Sequence, residues 1–362
     1  MAGRTEGETT VGRTTGAAQA GVPVQATARG RASGPREPKQ GGRTHRLRRA
    51  LLATLITGAV VVPLSGATRP GIPAPAPAAL AAPVTAATLD ETYAAHRANA
   101  AEASRMAAAH GARERATADR AMADPARHFL SFDGRGAGLA TEVFGDLAHA
   151  DRVAVLVPGS DTSIDTYGRF RDAARALHER LTRQAPQDTG TAVVAWLGYE
   201  TPATVSTTVT TPGRAEEAAP KLREFVRQLR AVTAGKGAHI SLLCHSYGSV
   251  VCGRAASHLA VDDIALVGSP GTGADTAAAL HTPARVWAAR GSDDWVAEVP
   301  HVRLDLLGTT VGFGTDPVSP SFGARVFAAG TGGHSDYFRP GSTSLANLTR
   351  IVLGKTPEAP HG

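Results

Sequence analysis

An α/β fold, with a mostly parallel central sheet covered by helices on both faces, is the architecture the sequence predicts. Two observations predict it: short apolar runs end in Gly, Ser, Asp or His, and from residue 152 onward they alternate with helical segments. A third marks where chemistry belongs, since "SLLCHSYGSVVCG" (241–253) sets a serine between an apolar run and a small-residue helix pattern.

The elements follow in chain order. Segment 1–42 is rich in Gly, Arg, Thr and Ala without an apolar period, and is expected to be disordered because it cannot bury enough surface to offset chain entropy. Residues 43–87 begin with Arg43, Arg46, Arg48 and Arg49, pass through an uncharged apolar run from Ala50 to about Ala67, and end in a Pro/Ala linker containing Ala79-Leu80-Ala81. That order is the one an export signal needs. The run also nearly reaches the ~20 apolar residues that span a bilayer, so an uncleaved anchor through 50–67 is the alternative. The Ala-rich stretch 88–124 predicts one or two helices interrupted near Gly111, closed by Pro125.

The α/β domain is expected over 125–355. "RHFLSFD" and "GLATEVFGD", joined by "GRGAG", read as a β-hairpin. "RVAVLVPG" (152–159) is a continuous apolar run, the mark of a strand buried on both faces. Further strands are expected in "AVVAWLGYE" (192–200), "HISLLCHS", "DDIALVGSPG", "ARVWAARGSDD" and "GARVFAAG". Helices are expected in "DTYGRFRDAARALHERL", "RAEEAAPKLREFVRQLRAV", "YGSVVCGRAASHLA", "GADTAAALH" and "STSLANLTRIVLG". In an open sheet of this kind the ligand crevice lies at the carboxyl ends of the strands.

Charge narrows the function classes. Of 38 basic and 32 acidic residues, the first 49 positions hold ten and three, which leaves 28 basic against 29 acidic for the rest. The basicity belongs to the tail, so a nucleic-acid partner, which needs a basic face on the domain itself, is not expected. No H-E-x-x-H, C-x-x-C or phosphate-binding Gly loop with Lys appears, so no metal and no cofactor is expected. Cys244 and Cys252 are expected to pack as small apolar side chains rather than as a bridge.

Ser246 sits in the context a nucleophile elbow requires, a strand-to-helix turn tight enough to need small neighbours two residues before and after. Gly248 supplies the later one and Cys244 the earlier. A serine hydroxyl needs a base to become nucleophilic. In this architecture the acid and the histidine follow the serine, each after a later strand. "GSDDW" offers Asp294, with Asp293 as substitute, and "TGGHSDYF" offers His334 after two glycines. His258, His281 and His301 lack that strand-end position. An oxyanion would be received by the backbone N–H groups of Tyr247 and Ser160, the latter just after Val157-Pro158-Gly159. "TPATVSTTVTTPG" (201–213) is either a cap over the crevice or a surface loop, "DPVSPSFG" (316–323) a connector, and Trp196, Trp287 and Trp295 core residues.

"VPGSDTSIDTY", "AVVAWLGYETP", "SLLCHSYGSVVCGRAA", "LVGSPG", "WAARGSDDWV", "FGARVF" and "GGHSDYF" together resemble an uncharacterised actinobacterial family of α/β-hydrolases known only as a domain of unknown function. The resemblance covers about 125–355 and departs at Cys244, where relatives usually carry Gly, and at Ser160. It implies the α/β-hydrolase fold and a serine triad without metal or organic cofactor. The expected activity is that of an exported or envelope-anchored serine hydrolase acting on a small-molecule or lipid ester. An acyltransferase using the same acyl-enzyme and a non-catalytic envelope binding protein are the alternatives.

Overall fold

The computed structural model describes residues 71–206, 211–299, 304–306 and 309–360. The tail 1–42 and the apolar run 50–67 lie outside these residues.

 Among the described residues no helix is long and apolar enough to cross a membrane.

Two helices lead in, α1 (Leu89–Ala109) and α2 (Arg113–Met122), with the chain breaking at Gly111 as its position suggests. The sheet is built from β1 (His128–Asp133), β2 (Leu139–Phe144), β3 (Arg152–Val157), β4 (Thr191–Leu197), β5 (His239–His245), β6 (Asp263–Val267), β7 (Arg285–Ala289) and the two-residue β10 (Arg325–Val326). Its spatial order is β1-β2-β4-β3-β5-β6-β7-β10. Only β2 runs against its neighbours, and every pairing from β4 through β10 is parallel. Between strands run α3 (Tyr167–Gln184), α4 (Gly213–Val232) and α5 (Gly248–Ala255), and α6 (Thr343–Val352) closes the fold.

The apolar runs explain the layering. Successive side chains of a strand point to opposite faces, so an uninterrupted run must be covered on both. Val153, Val155 and Val157 of β3 join the core that α4 and α5 cover, through Leu222, Leu229 and Val251. Ala154 and Leu156 join the other, beneath α3 and α6, with Leu177, Leu181 and Leu348. The lead-in helix α1 contributes to both, through Tyr93 on one side and Ala100 and Ala103 on the other.

Four local expectations need correction. "GADTAAALH" forms a single 3-10 turn (Ala278–Leu280) rather than a helix, and His281 leaves it in a left-handed conformation. The strand expected in "GARVFAAG" shrinks to Arg325 and Val326. A separate small hairpin, β8 (Leu304–Leu306) with β9 (Thr309–Val311), stands where no strand was expected. The cysteines do not pack separately: Cys244 and Cys252 form a disulfide, with their Cα atoms 6.5 Å apart. The turn after β5 folds α5 back across the strand end, which carries residue 252 over residue 244.

This bridge closes a loop of about eight residues, and the chain-entropy relation for so short a loop gives about 2–3 kcal/mol. Replacing both cysteines by alanine, or adding reductant, is expected to lower the melting temperature by about 5–10 °C. Thermal unfolding with and without reductant checks this; equal midpoints would remove the bridge from the account of stability.

Candidate active site

The serine elbow forms as its residues require. Ser246 follows β5 with φ of 54°, one of three described non-glycine residues with positive φ. Holding an L-residue there costs about 1–2 kcal/mol, which the surrounding structure offsets. Its N–H donates to the carbonyl of Val267 at 3.0 Å, fixing the turn to the end of β6. The chain beside it leaves no spare room. A Cβ on Gly159 would come within 2.6 Å of the Ser246 Cβ, and one on Gly248 within 2.6 Å of the Val157 and Pro158 carbonyl oxygens.

The later strands deliver the partners. His334 Nε2 lies 2.8 Å from Ser246 Oγ, and His334 Nδ1 lies 2.9 Å from Asp294 Oδ1. Since an ionised carboxylate only accepts, the proton belongs on Nδ1, and Nε2 is left to accept from the serine. Asp294 is buried, whereas Asp293 is exposed and bonds its neighbour Ser292. Burial alone would raise the Asp294 pKa. Hydrogen bonds from His334, Tyr337 and the Val296 N–H outweigh it and hold the carboxyl below its ordinary range.

Three residues around these contacts went unassigned in the sequence. Tyr337 donates its hydroxyl to Asp294 Oδ2 while accepting from the Gly291 N–H at 3.0 Å, so it ties the acid to its own loop. His245 donates from Nε2 to the His334 carbonyl at 2.7 Å, and so holds the loop that carries the imidazole. Both lay within quoted motifs, but their partners are distant in sequence. Gly268 is a third: at φ of 56°, a Cβ there would meet the Tyr337 ring and Asp294 Oδ2.

Burial, with the His334 ring nearby, pushes His245 down to about 4. A histidine whose folded pKa lies below its unfolded value of about 6.5 stays neutral in the fold while the unfolded chain takes up protons. Stability from this source is therefore complete above the unfolded pKa and is lost as pH falls toward 4. The loss is on the order of 1–3 kcal/mol, moderated by partial solvent access to the ring. Melts between pH 7 and 4 are expected to show it, and His245→Gln, which can still donate to the carbonyl, is expected to flatten it. An unchanged slope in that variant would assign the loss to other groups.

The loop after β3 brings Gly159 against the serine, and Ser160 lines the same cleft as Ser246. Tyr199 donates its hydroxyl to the Pro158 carbonyl at 2.7 Å, and Asp161, with φ of 57°, donates its N–H to the Pro202 carbonyl at 3.0 Å. Thr201 Oγ1 accepts from the Thr162 N–H and donates to the Thr162 carbonyl. The described part of 201–213 thus buttresses this loop; residues 207–210 lie outside the described set. Tyr247 caps the amino end of α5, where first-turn N–H groups have no intrahelical acceptor. Its hydroxyl is held by the Thr211 carbonyl and the Ala215 N–H.

Trp196 and Trp287 are buried, as core residues should be, but Trp295 is 52% exposed and its ring centre lies 4.7 Å from that of His334. It lines a cleft of about 1490 Å³ that also reaches Ser246 and His334. A second Ser, His and Asp grouping, near the amino ends of β5 and β6, lacks the relay geometry. There the Ser241 hydroxyl meets the Asp263 carboxylate directly at 3.4 Å, while His239, Arg285 and Trp287 bond that same carboxylate. Among the described residues no cluster of His, Cys, Asp and Glu could hold a metal ion.

Comparison with known families agrees with this architecture. A family model described as alpha/beta hydrolase matches residues 133–304. The uncharacterized protein Rv2079 of Mycobacterium tuberculosis (strain ATCC 25618 / H37Rv) is 30% identical over 247 residues, covering 60% of this chain and 37% of that protein. The uncharacterized protein Mb0988c of Mycobacterium bovis is 36% identical over 143 residues, covering 37% of this chain and 53% of that one. The chain therefore spans little more than a third of the length of the first of these relatives. Among solved structures, esterase PE8 is similar at a TM-score of 0.41 and 19% identity, covering 59% of this chain and 97% of that one. XC6422 from Xanthomonas campestris is similar at 0.38 and 18%, covering 64% and 94%.

Proposed function

We propose, from the premise that this chain has the α/β-hydrolase fold, that it is an exported serine hydrolase cleaving esters through an acyl-enzyme on Ser246. The observation that carries the reading is the unbroken line from Ser246 Oγ to His334 at 2.8 Å and from His334 to Asp294 at 2.9 Å. His334 Nε2 takes the serine proton as Oγ attacks the ester carbonyl, and the Asp294 carboxylate stabilises the imidazolium. The developing oxyanion is received by the N–H groups of Tyr247 and Ser160. His334 then protonates the leaving alcohol. Water, deprotonated by the same imidazole, releases the acid and restores the serine.

Export is supported by the order of basic, apolar and Pro/Ala segments in 43–87. The Cys244–Cys252 bridge supports it independently, since disulfides persist chiefly in oxidising compartments. The quoted motifs further support the narrower actinobacterial family, and with it a small-molecule or lipid ester as substrate.

The test is incubation with a fluorophosphonate probe, the modified residue being read by mass spectrometry, followed by ester turnover with and without a primary alcohol. Labelling at Ser246 and release of free acid are expected. Transfer of the acyl group to the alcohol in preference to water would move the reading to an acyltransferase. Absence of labelling in folded protein would move it to a binding protein.

A further inference from the structure

The cleft extends well beyond the reacting atoms. At about 1490 Å³ it exceeds the roughly 300–1,000 Å³ of ordinary small-ligand pockets. One wall is a face of α3, where Phe170, Ala173 and Ala176 recur at the three-residue spacing that aligns side chains along a helix. The α3 residues that line it run from Gly168 to Glu179, a length of about 16 Å at the helical rise. Val296, Val299, Phe313 and Phe338 supply apolar surface elsewhere in the cleft. Phe170, Ala173, Ala176 and Phe338 each pack against the core yet keep part of their surface open. Charge of both signs accompanies this apolar surface, from Arg169, Asp172, Arg175 and Glu179 on the same helix.

We infer that this cleft is an acyl-chain site and that the substrate is an ester of a long, unbranched fatty acid, its chain lying along α3. The inference rests on the hydrolase reading above. A long, mainly apolar cleft has little to offer an acetyl group, whose few atoms are accommodated at the serine. An extended aliphatic chain instead leaves water over most of its length. Each further methylene buried in this way raises kcat/KM by up to about fourfold. Ala173 and Ala176 set the width, because on that face their small side chains leave the channel open.

The experiment is a series of p-nitrophenyl esters, from acetate through butyrate and octanoate to dodecanoate, measured below their micelle concentrations. Titration of Ser246 with fluorophosphonate runs in parallel. An increase in kcat/KM of at least about tenfold from butyrate to octanoate, without a fall at dodecanoate, is expected. Ala176→Trp is expected to lower the ratio of dodecanoate to butyrate turnover by at least about tenfold. Fastest turnover of acetate or butyrate by an enzyme whose serine titrates fully would overturn the chain site and leave the hydrolase reading intact. Calorimetric titration of the Ser246→Ala protein with dodecanoate and butyrate reads the channel without catalysis. Tighter binding of dodecanoate supports the site even if no ester is cleaved, and equal or undetectable binding of both overturns it. The wild-type series and this titration both remain decisive if Ala176→Trp fails to fold.

Discussion

Ser246→Ala is expected to lower ester turnover by about 10⁴- to 10⁶-fold and to abolish fluorophosphonate labelling, with the fold unchanged. The Ser246 hydroxyl is placed to attack while its proton passes to His334, 2.8 Å away. His334→Ala is expected to fall in the same range, and the double variant little further, because the two act as one unit. The residue's backbone adds a second readout. Ser246 holds a φ of 54°, which disfavours any side chain with a Cβ. Ser246→Gly is therefore expected to be inactive yet more stable than Ser246→Ala by about 1 kcal/mol. Steady-state kinetics paired with chemical unfolding checks both. Turnover by Ser246→Ala within tenfold of the parent would remove the serine from the mechanism.

Asp294→Asn carries the second largest expected effect, a fall in kcat of about 10³- to 10⁴-fold. An amide at this position presents an N–H where His334 Nδ1 now donates, so the imidazole adopts the tautomer that cannot accept the serine proton. Asp293→Asn, one residue away, is expected to change turnover by less than about threefold, because that side chain is exposed and bonds only toward Ser292 among the contacts described for it. The pair separates a specific role from a general effect of charge in the loop. The carboxyl of Asp294 is held below its ordinary pKa, so the stability it contributes is present above the unfolded value of about 3.9 and is lost as pH falls through the folded one. Asp294→Asn should remove that acid-side loss. Comparable defects in the two variants would overturn the assignment of the acid.

The parallel sheet and the position of the serine were legible because they rest on local rules. A strand buried on both faces must be apolar throughout, as in 152–157, and the segments that cover it must repeat with helical period, as in α3 and α4. A serine between such a strand and such a helix has few backbone conformations open to it. The same rules failed where tertiary contact decides. "GADTAAALH" has helical composition, yet it collapses to one turn, with the Ala277 N–H bonded to the Phe322 carbonyl of a distant loop.

What the sequence by itself determined was the class of fold, the strand-to-helix turn at Ser246, and the order in which Asp294 and His334 follow it. Those are consequences of periodicity and turn chemistry along a few neighbouring residues. Only the tertiary structure separates Asp293 from Asp294, since of these adjacent side chains one is exposed and the other bonds His334. It also paired Cys244 with Cys252, brought Trp295 out to the cleft, and set Tyr337 and His245 behind the acid and the base. Each of these depends on the direction of a side chain across a gap between segments, and that direction follows from packing rather than from spacing.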